Sequence, residues 1–434
     1  MARDSIGIGL MGVGTIGGQL VKSISDKAEA LADIVGCPVV LRKVKVLPED
    51  LSRPVVHGMP AQLFTTDEEE FFNEPGIDII VEAMGGVEPA LEYHRRALST
   101  GRHVVTPNKE LIAKHGADLT ALAEEHDVSL LYEASVGAGF PLITPFKHDL
   151  ATNEISGIYA IINGTTNYIL TMMAREGMEF AAALKLAQEK GYAEPNPEND
   201  VEGIDAHYKL AILASLAFHT QVKPENVHHE GISRLSSRDF RYAAELGFAV
   251  KLLAIAKQVD NTIEARVHPV FIPEESQLAK INGVYNAVLV EGDMIDKVLF
   301  FGQGAGPLPT CSSIIADIVA AAQQVAGGGT RDRRRKDSGR SIKPMSEVTT
   351  RYYLRIKAAD QPGVLAQIAR ILGDNQISIA SAIQKETDPS TQAAEIVLMT
   401  HPAQEKAMQQ ALGEITGLKI VKEVSNFIRV EDDI

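Results

Sequence analysis

The first third of the chain alternates short apolar runs with amphipathic segments of helical spacing. Strand-like runs begin near residues 6, 39, 77, 101 and 128, and helical patterns over 88–99 and 111–126 separate the later ones. Strands that alternate with helices in this way pair in parallel, with helices on both faces of the sheet. The pattern therefore predicts an α/β domain over residues 1–148, built on a doubly wound parallel sheet.

The hydrophobic pattern changes after residue 148. A strand is predicted at 155–162, followed by helices at 167–176, 180–190 and 204–219 and by strands at 262–270 and 287–291. This order predicts a second, α+β domain over 149–305, which we expect to bind the substrate and to dimerise. The segment 306–330 contains a helix that is expected to pack back on the first domain.

The C-terminal part of the chain has a third pattern. Strands at 351–359, 377–379, 394–399 and 421–430 alternate with helices that begin near residues 364 and 403. This βαββαβ order predicts a ferredoxin-like domain over 349–434. Residues 331–348 are expected to be a linker, in which the basic run Arg331–Lys336 is solvated.

Composition and charge limit the partners that we expect. The 434 residues contain 45% hydrophobic and 23% charged residues, which is typical of a soluble globular protein. The formal net charge of -15 argues against nucleic acid or an anionic membrane as a partner. No apolar stretch spans a bilayer, and the first residues lead into a strand, so no signal peptide is expected. The two cysteines offer no disulfide framework, which favours a reducing cytoplasm.

A glycine-rich turn follows the first strand directly. Gly12, Gly14 and Gly17 have the Gly-x-Gly-x-x-Gly spacing, between an apolar strand and an amphipathic segment. In that context the first glycine permits the turn, the second admits a pyrophosphate, and the third lets the helix pack closely. The phosphate would bind N–H groups at the helix start. An ordinary βα turn is the alternative, but the context favours a dinucleotide site formed by Gly12, Val13, Gly14, Thr15, Ile16 and Gly17.

The end of the second predicted strand is where the type of dinucleotide is normally distinguished. A carboxylate there holds the adenosine ribose of NAD, whereas a cation accommodates the extra phosphate of NADP. The segment Arg42–Asp50 contains both basic and acidic groups. NAD and NADP therefore both stay open as cofactors.

Polar groups also follow two later strands. Lys109 follows Thr-Pro-Asn at a strand's carboxyl end, where open α/β sheets bind ligands, although a surface lysine at a helix start is the alternative. Glu133 ends another strand and is followed by glycines that leave backbone carbonyls free. One carboxylate with several carbonyls suits a hard cation, and a capped turn explains the segment equally well.

The segment from Gly191 to Lys209 brings several charged groups together. Prolines hold its first half extended, while Glu194 and Asp200 supply carboxylates for a substrate ammonium. Asp205 and Lys209 are four residues apart and share one helix face. Apolar residues border that face, so we expect it to be partly buried, where a lysine becomes an acid–base group.

Taken together, these segments resemble the homoserine dehydrogenase family over nearly the whole chain. The resemblance rests on the motifs Gly12–Gly17, Val81–Gly86, Thr106–Lys109, Glu133–Pro141, Asn163–Tyr168, Gly191–Lys209 and Gly302–Gly306. The first domain is then similar to a Rossmann domain, and the C-terminal domain resembles an ACT domain. Pro107 and Cys311 depart from the family pattern, in which alanine is common, and Leu47 stands where an arginine for the NADP phosphate is frequent.

The resemblance implies the interconversion of L-homoserine and L-aspartate 4-semialdehyde with NAD or NADP. It implies that Lys209 moves the proton, that Asp205 orients Lys209, and that Lys109 adds positive charge beside the reacting oxygen. Each lysine is expected to lower the pKa of the other. The further implied contacts are with the substrate at Glu194, Asp200, Tyr192 and Lys209, with the coenzyme at Lys109 and Gly306, and with a sodium ion at Glu133, Val136, Ala138 and Phe140.

The ACT-like domain implies feedback control by an amino acid. We expect L-threonine to bind at the turn containing Asp360 and Gly363, where N–H groups at a helix start face an effector carboxylate. The module is expected to fold alone, so a chain ending near Met345 would keep activity and lose the response to threonine. A homodimer or homotetramer is expected. The alternatives are a non-catalytic amino-acid sensor, which needs neither Lys109 nor Lys209, and another amino-acid dehydrogenase on the same plan.

Overall fold

The computed structural model describes residues 4–327, 337–388 and 393–434. The basic run Arg331–Lys336, which was expected to be a solvated linker, lies outside these residues. Within the described ranges the chain forms a parallel sheet near its N-terminus and a larger mixed sheet that continues to its C-terminus. In the same ranges, no helix combines the length and the apolar character needed to cross a bilayer.

The first domain is a parallel sheet covered by helices on both faces. Among the described residues its strands lie in the order β3-β2-β1-β4-β5-β6. The strands are β1 Ile6–Met11, β2 Val39–Lys45, β3 Phe64–Thr65, β4 Ile79–Glu82, β5 His103–Val105 and β6 Leu130–Leu131. The helices are α1 Thr15–Asp26, α2 Ala28–Val35, α3 Pro54–His57, α4 Glu68–Phe72, α5 Ala90–Ser99, α6 Lys109–Glu125 and α7 Ile143–Lys147.

The centre of this sheet is where a ligand crevice is expected. Strand β1 is buried at every position, because helices cover both of its faces. Strands β1 and β4 are neighbours, and the strand order runs outward from them in opposite directions. Open α/β sheets bind ligands at the carboxyl ends of the strands on either side of such a reversal.

The second domain contributes an antiparallel sheet with helices on one side. Its strands are β7 Ile155–Ile161, β8 His228–His229, β9 Phe248–Val259, β10 Thr262–Pro273, β11 Tyr285–Gly292 and β12 Asp296–Gln303. Its helices are α8 Gly164–Glu176, α9 Phe180–Glu189, α10 Glu198–Val201, α11 Ile204–Phe218 and α12 Ser237–Glu245. The main strands lie in the order β12-β11-β7-β9-β10.

Helix α13, Pro307–Val325, returns from the second domain and packs against α1. The buried thiol of Cys311 lies 3.5 Å from the backbone oxygen of Ile16. Further along the helix, Asp317 accepts a hydrogen bond of 2.8 Å from the backbone N–H of Glu133. These contacts tie the end of the second domain to the core of the first.

The C-terminal domain has the βαββαβ order that the sequence predicts. Its elements are β13 Ser341–Ile342, β14 Thr349–Ala359, α14 Val364–Asp374, β15 Ile379–Asp388, β16 Ala393–Thr400, β17 Ala403–Gln404, α15 Glu405–Thr416 and β18 Val421–Val430. The long strands lie in the order β18-β14-β16-β15, and α14 and α15 pack on one face. This is a ferredoxin-like unit.

The C-terminal domain shares its sheet with the second domain. The end of β18 pairs in parallel with β10, with Val270 opposite Arg429 and Phe271 opposite Val430. Buried ion pairs cross the same boundary, including Arg355 with Asp239 at 2.8 Å. The C-terminal domain thus completes the sheet and the buried ion pairs of the second domain. The structure therefore does not support the expectation that this module folds alone.

Candidate active site

The glycine turn after β1 leaves its backbone open to a ligand. Gly12 has a φ of 92°, in the left-handed region that favours glycine. A Cβ on Gly17 would lie 2.0 Å from the carbonyl oxygen of Gly12, so only glycine lets α1 start this close to β1. No described atom lies within 4 Å of a Cβ placed on Gly14, and no described side chain caps α1. These features fit a pyrophosphate on the N–H groups of Val13, Thr15 and Ile16.

Two of the charged groups in and after β2 already have partners of opposite charge. Asp50 accepts hydrogen bonds from the backbone N–H of Leu47, at 3.3 Å, and from Arg53 Nε, at 2.5 Å. Lys43 is buried and turns to Glu70, at 2.9 Å. Leu47 itself is 54% exposed. A carboxylate that already holds a guanidinium is a weaker ribose ligand, so the structure does not single out NAD.

Lys109 is the first residue of helix α6, directly after β5. The side chain of Asn108 caps this helix by accepting a hydrogen bond from the backbone N–H of Leu111, at 3.2 Å. From this position the Nζ of Lys109 reaches Asp205 Oδ1 in the second domain, at 2.6 Å. The Lys109 side chain stays 41% exposed. The pair therefore joins the two domains at the mouth of the crevice.

Asp205 and Lys209 lie one turn apart near the start of helix α11. Lys209 Nζ donates to Asp205 Oδ2, at 2.7 Å, and to the carbonyl oxygen of Ile162, at 2.8 Å. The side chains of Lys209 and Asp205 are only 10% and 7% exposed, as the apolar surroundings of this helix predicted. Asp205 thus lies between two lysines, one from each domain.

Asn163 is a member of this cluster that the search for charged groups missed. Its Nδ2 donates to Asp205 Oδ2, at 2.9 Å, and to Asp200 Oδ1, at 2.7 Å. Its Oδ1 accepts from the backbone N–H of Thr166 and so caps helix α8. A signal was present in the sequence, because Asn163 is a polar residue directly after an apolar strand, as Lys109 is.

The charges of the cluster shift one another's titration. Burial lowers the pKa of Lys209, and the positive charge of Lys109 lowers it further. Although burial disfavours its charged form, the two lysines hold the pKa of Asp205 well below its ordinary value. The Asp205 carboxylate raises the pKa of Lys109. Lys109 lowers the pKa of Lys209 as expected, whereas the net pKa of Lys109 is raised, because the contact with Asp205 dominates there.

The loop before α11 carries the other predicted substrate-binding groups. Asp200 is half-buried, and burial raises its pKa. The carboxylate of Glu194 is exposed and has no hydrogen-bond or ion-pair partner among the described residues. Tyr192 is 44% exposed and packs edge-on against Tyr168, with ring centroids 4.9 Å apart. The structure joins Asp200 to the lysine cluster through Asn163, and it leaves Glu194 and Tyr192 at the surface of the loop.

Glu133 caps a helix with its side chain. Its Oε1 accepts from the backbone N–H groups of Leu142, at 2.5 Å, and Ile143, at 2.9 Å. Its Oε2 accepts from the backbone N–H and the hydroxyl of Thr144, at 2.7 and 2.6 Å. Four donors occupy both oxygens, so the capped-turn interpretation is correct and the carboxylate does not fit a cation ligand. Of the carbonyls expected to hold sodium, that of Ala138 accepts from Ser313, at 2.7 Å.

The sequence matches known families over most of its length. Residues 12–133 match the NAD binding domain of homoserine dehydrogenase, residues 141–319 match homoserine dehydrogenase, and residues 352–419 match the ACT domain. A Neisseria gonorrhoeae protein named homoserine dehydrogenase is 40% identical over 432 residues, 98% of each chain. The chain belongs to the homoserine dehydrogenase family.

Solved structures of the family have the same fold. The crystal structure of a homoserine dehydrogenase from Thiobacillus denitrificans is 40% identical and has a TM-score of 0.91, covering 99% of this chain and 98% of that one. A hyperthermophilic archaeal homoserine dehydrogenase in complex with NADPH is 26% identical and has a TM-score of 0.64, covering 76% of this chain and 100% of that one. The predicted family, fold class and enzymatic function are confirmed: the protein is an NAD(P)-dependent oxidoreductase. The alternative prediction, a non-catalytic amino-acid sensor, is therefore wrong.

Three further predicted site residues lie just before helices of this enzyme. Gly306, with a φ of 124°, precedes α13 at its contact with the first domain. Gly363, with a φ of 86°, precedes α14 in the ACT domain. Asp360 lies in the same exposed turn and accepts a hydrogen bond from Gln384, at 3.3 Å. Residues 360–363 are all exposed.

Proposed function

We propose that Lys209 is the acid–base group of the homoserine dehydrogenase reaction in this enzyme. The observation that carries the proposal is the buried contact of Lys209 Nζ with Asp205, at 2.7 Å, where the two domains meet. Burial lowers the pKa of Lys209, so its ammonium releases a proton more readily than an exposed lysine does. A pKa nearer the working pH makes a group effective in both directions of proton transfer.

The direction of proton transfer at Lys209 depends on the direction of the reaction. When bound, the nicotinamide coenzyme accepts the hydride during oxidation and supplies it during reduction. In the oxidation of L-homoserine, neutral Lys209 takes the proton of the substrate hydroxyl. In the reduction of L-aspartate 4-semialdehyde, protonated Lys209 returns a proton to the developing alkoxide. Two of its three N–H groups bind Asp205 and the carbonyl of Ile162, so the third is available to the substrate oxygen.

Asp205 and Lys109 support this proton transfer. Asp205 fixes the position of Lys209 and keeps its own negative charge throughout, because two lysines stabilise that charge. Lys109 is partly exposed and stays positive, since Asp205 raises its pKa. A fixed positive charge beside the reacting oxygen stabilises the alkoxide that forms when the aldehyde is reduced.

Glu194 and Asp200 are proposed to bind the substrate ammonium, and Tyr192 to line the pocket. The carboxylate of Glu194 is exposed, and that of Asp200 is half-buried. Asn163 holds Asp200 and Asp205 with the two hydrogens of one amide group. This arrangement fixes the distance between the ammonium site and the acid–base group.

For the coenzyme we propose NAD or NADP, bound at residues 12–17 with further contacts from Lys109 and Gly306. The open backbone at Gly14 and the uncapped start of α1 support a dinucleotide there. The archaeal relative in complex with NADPH supports a nicotinamide dinucleotide on this fold. Initial rates of homoserine oxidation with NAD and NADP, measured separately, decide between them.

A sodium ion in the segment Glu133–Phe140 is proposed on backbone carbonyls alone, including those of Val136 and Ala138. The Glu133 carboxylate is excluded, since four donors occupy it. The described residues also contain no cluster of three or more acidic, histidine or cysteine side chains that would hold a metal. Rates in sodium chloride and in choline chloride at equal ionic strength test this proposal.

We further propose L-threonine as the effector, a homodimer or homotetramer as the assembly, and the cytoplasm as the location. The exposed Asp360–Gly363 turn supports the effector site. An exposed aromatic pair on the edge of the sheet supports self-association: Tyr285 and Phe301 are 41% and 51% exposed, and their rings stack at 5.1 Å. The two cysteines are free, as expected in a reducing compartment.

Replacement of Lys209 by alanine tests the proposed role directly. We expect the kcat of homoserine oxidation to fall by a factor on the order of 10² to 10⁴, the usual effect of removing an acid–base group. The coenzyme Kd should not change. Lys185→Ala is the matched control, because Lys185 is 78% exposed and forms only a surface pair with Glu189. A near-normal kcat in Lys209→Ala would reject the proposal.

A further inference from the structure

Glu82 is a buried carboxylate at the centre of the dinucleotide crevice. It is the last residue of β4, opposite Met11 of β1, and its side chain is fully buried. The strand order reverses at this pair of strands, so Glu82 lies below the place where the coenzyme binds. Burying a carboxylate is costly unless its oxygens are paired, so its partners indicate its purpose.

One oxygen of Glu82 holds the loop that follows β4. Oε1 accepts hydrogen bonds from the backbone N–H groups of Met84, at 2.6 Å, and Gly85, at 3.1 Å. This loop needs glycine, since Gly85 and Gly86 have φ values of 79° and 76°. It also forms one wall of the dinucleotide turn, because a Cβ on Gly12 would lie 2.8 Å from the carbonyl of Ala83.

The other oxygen of Glu82 holds the start of helix α6. Oε2 accepts from the hydroxyl of Thr106, at 2.7 Å, and from Asn108 Nδ2, at 3.3 Å. Thr106 Oγ1 in turn accepts from the backbone N–H of Asn108, at 3.0 Å, and the Asn108 amide also donates to the carbonyl of Gly86, at 2.6 Å. Asn108 is the cap of α6, and the next residue is Lys109.

A buried histidine faces the same carboxylate. His94 Nε2 of α5 lies 3.5 Å from Glu82 Oε2, and both side chains are fully buried. Although burial disfavours the charged form of Glu82, His94 and the surrounding donors hold its pKa below the ordinary value. A lowered pKa favours the ionised carboxylate, whose two oxygens accept the hydrogen bonds from the loop and from the start of α6.

We propose that Glu82 is a positioning residue for Lys109. Its two oxygens tie the loop at residues 83–86 to the cap of α6, and so fix the helix start from which Lys109 reaches Asp205 at 2.6 Å. Glu82 itself is buried beneath the site and acts through Thr106 and Asn108. The inference rests on the proposed role of Lys109 in catalysis.

The substitution Glu82→Gln should keep the contact of Glu82 with the loop at residues 83–86 and disrupt its contact with the start of α6. The amide oxygen still accepts from the loop N–H groups, whereas the amide nitrogen faces Asn108 Nδ2, and two donors cannot pair. We expect the kcat of homoserine oxidation to fall about 10- to 100-fold, as when a reacting group is misplaced by a fraction of an ångström. The coenzyme Kd, measured by NADPH fluorescence, should stay within about twofold of the wild-type value, because the loop is retained.

A double-mutant cycle tests whether the effect passes through Lys109. In Lys109→Ala, the further loss of kcat caused by Glu82→Gln should be less than about threefold, since the group that Glu82 positions is absent. Thr106→Val, which removes one hydrogen bond at similar volume, should show the same dependence and serves if Glu82→Gln folds poorly. Glu68→Gln is the control: Glu68 is a partly exposed carboxylate of the same domain that pairs with Arg96 at 3.1 Å, and its loss should be additive with Lys109→Ala.

Each result decides one point. Equal losses from Glu82→Gln with and without Lys109 would overturn the positioning role while leaving the catalytic role of Lys109 intact. A normal kcat in Lys109→Ala would reject the proposed function of Lys109, and with it this inference. A fall in melting temperature without a loss of kcat in Glu82→Gln would show that the carboxylate only stabilises the fold.

Discussion

Arg429 of the ACT domain and Glu230 of the second domain form a bidentate ion pair, with Nη–Oε distances of 2.8 and 3.0 Å. The same guanidinium binds Glu405, the first residue of α15, at 2.6 and 2.8 Å. Only 2% of the Arg429 side chain is exposed. Because one buried cation holds a carboxylate from each domain, the two domains cannot separate without leaving charges unpaired.

Removal of this cation should destabilise the enzyme strongly. We expect Arg429→Met to lower the free energy of unfolding by about 3–5 kcal/mol, because the buried carboxylate of Glu405 loses its cation and the bidentate contact with Glu230 is lost. Urea unfolding measures the change. Arg370→Met is the control, since Arg370 is 83% exposed and its pair with Asp374 should contribute at most about 1 kcal/mol. Similar small losses in both variants would show that the ion pair does not hold the domains together.

The shared sheet also changes how the regulatory site must be tested. A chain ending near Met345 loses β18 and the pairing of β18 with β10. It also loses Glu431, which pairs with the buried Arg266, and Arg355, which pairs with the buried Asp239. We therefore expect that chain to be unstable rather than active and unregulated. The effector is better tested in the full-length enzyme.

The variant Asp360→Ala addresses the effector site with the domain intact. Asp360 is exposed, and we propose that its carboxylate binds the effector ammonium, so its loss should raise the threonine concentration for half-inhibition about tenfold. Activity without threonine should be unchanged. Asp374→Ala, at the far end of α14, is the control and should respond as the wild type does. An unchanged response in Asp360→Ala would place the effector elsewhere, and a wild-type enzyme that ignores millimolar threonine would exclude that effector.

Local sequence patterns predict the fold of each domain and most of the site. The glycine turn, the strand end before Lys109 and the helix spacing of Asp205 and Lys209 are all short-range features, and each depends on neighbours a few residues away. Strand β9 was missed because Phe248–Val259 is nearly continuously apolar. It is buried on both faces for most of its length, so the alternation that identifies a half-buried strand is absent.

Contacts between domains could not be predicted in the same way. Glu264, Arg266 and His268 occupy alternate positions of β10, a spacing that normally indicates the solvent face of a strand. In the structure all three are buried, because the ACT domain covers that face and supplies Glu431 to Arg266, at 2.7 Å. Glu431 lies 165 residues from Arg266, and Lys343, which pairs with Glu264 at 3.2 Å, lies 79 residues away, so no local pattern contains that information.

The proposed ammonium site gives a prediction about substrate choice. Glu194→Ala should raise the KM for L-homoserine, because a charge-assisted contact to the ammonium is lost. A small alcohol without the amino group should be a poor substrate of the wild type, and its rate should be much less sensitive to the substitution. Glu198→Ala is the control, because Glu198 is an exposed carboxylate a few residues further along, at the start of α10. Equal losses on both substrates would indicate a structural role for Glu194.

The position of Lys109 predicts a change in pH dependence. Homoserine oxidation requires neutral Lys209, so its kcat should rise with pH as Lys209 loses its proton. The charge of Lys109 lowers the pKa of Lys209, and the Lys109 ammonium shares Asp205 with it. Lys109→Met removes that positive charge, and among the described residues it leaves Lys209 as the one lysine that pairs with Asp205. Both changes favour the protonated form of Lys209. The pKa of Lys209 therefore increases.

In Lys109→Met, the rising limb of the oxidation profile should accordingly move to higher pH, whatever the loss in maximal rate. The falling limb of aldehyde reduction, which requires protonated Lys209, should move in the same direction. Lys114→Met is the matched control, because Lys114 lies on the same helix and forms a partly exposed pair with Glu110, at 2.6 Å. Its profile should coincide with that of the wild type. A limb that stays in place in Lys109→Met, measured at saturating substrate and coenzyme, would show that Lys209 is not the group that titrates.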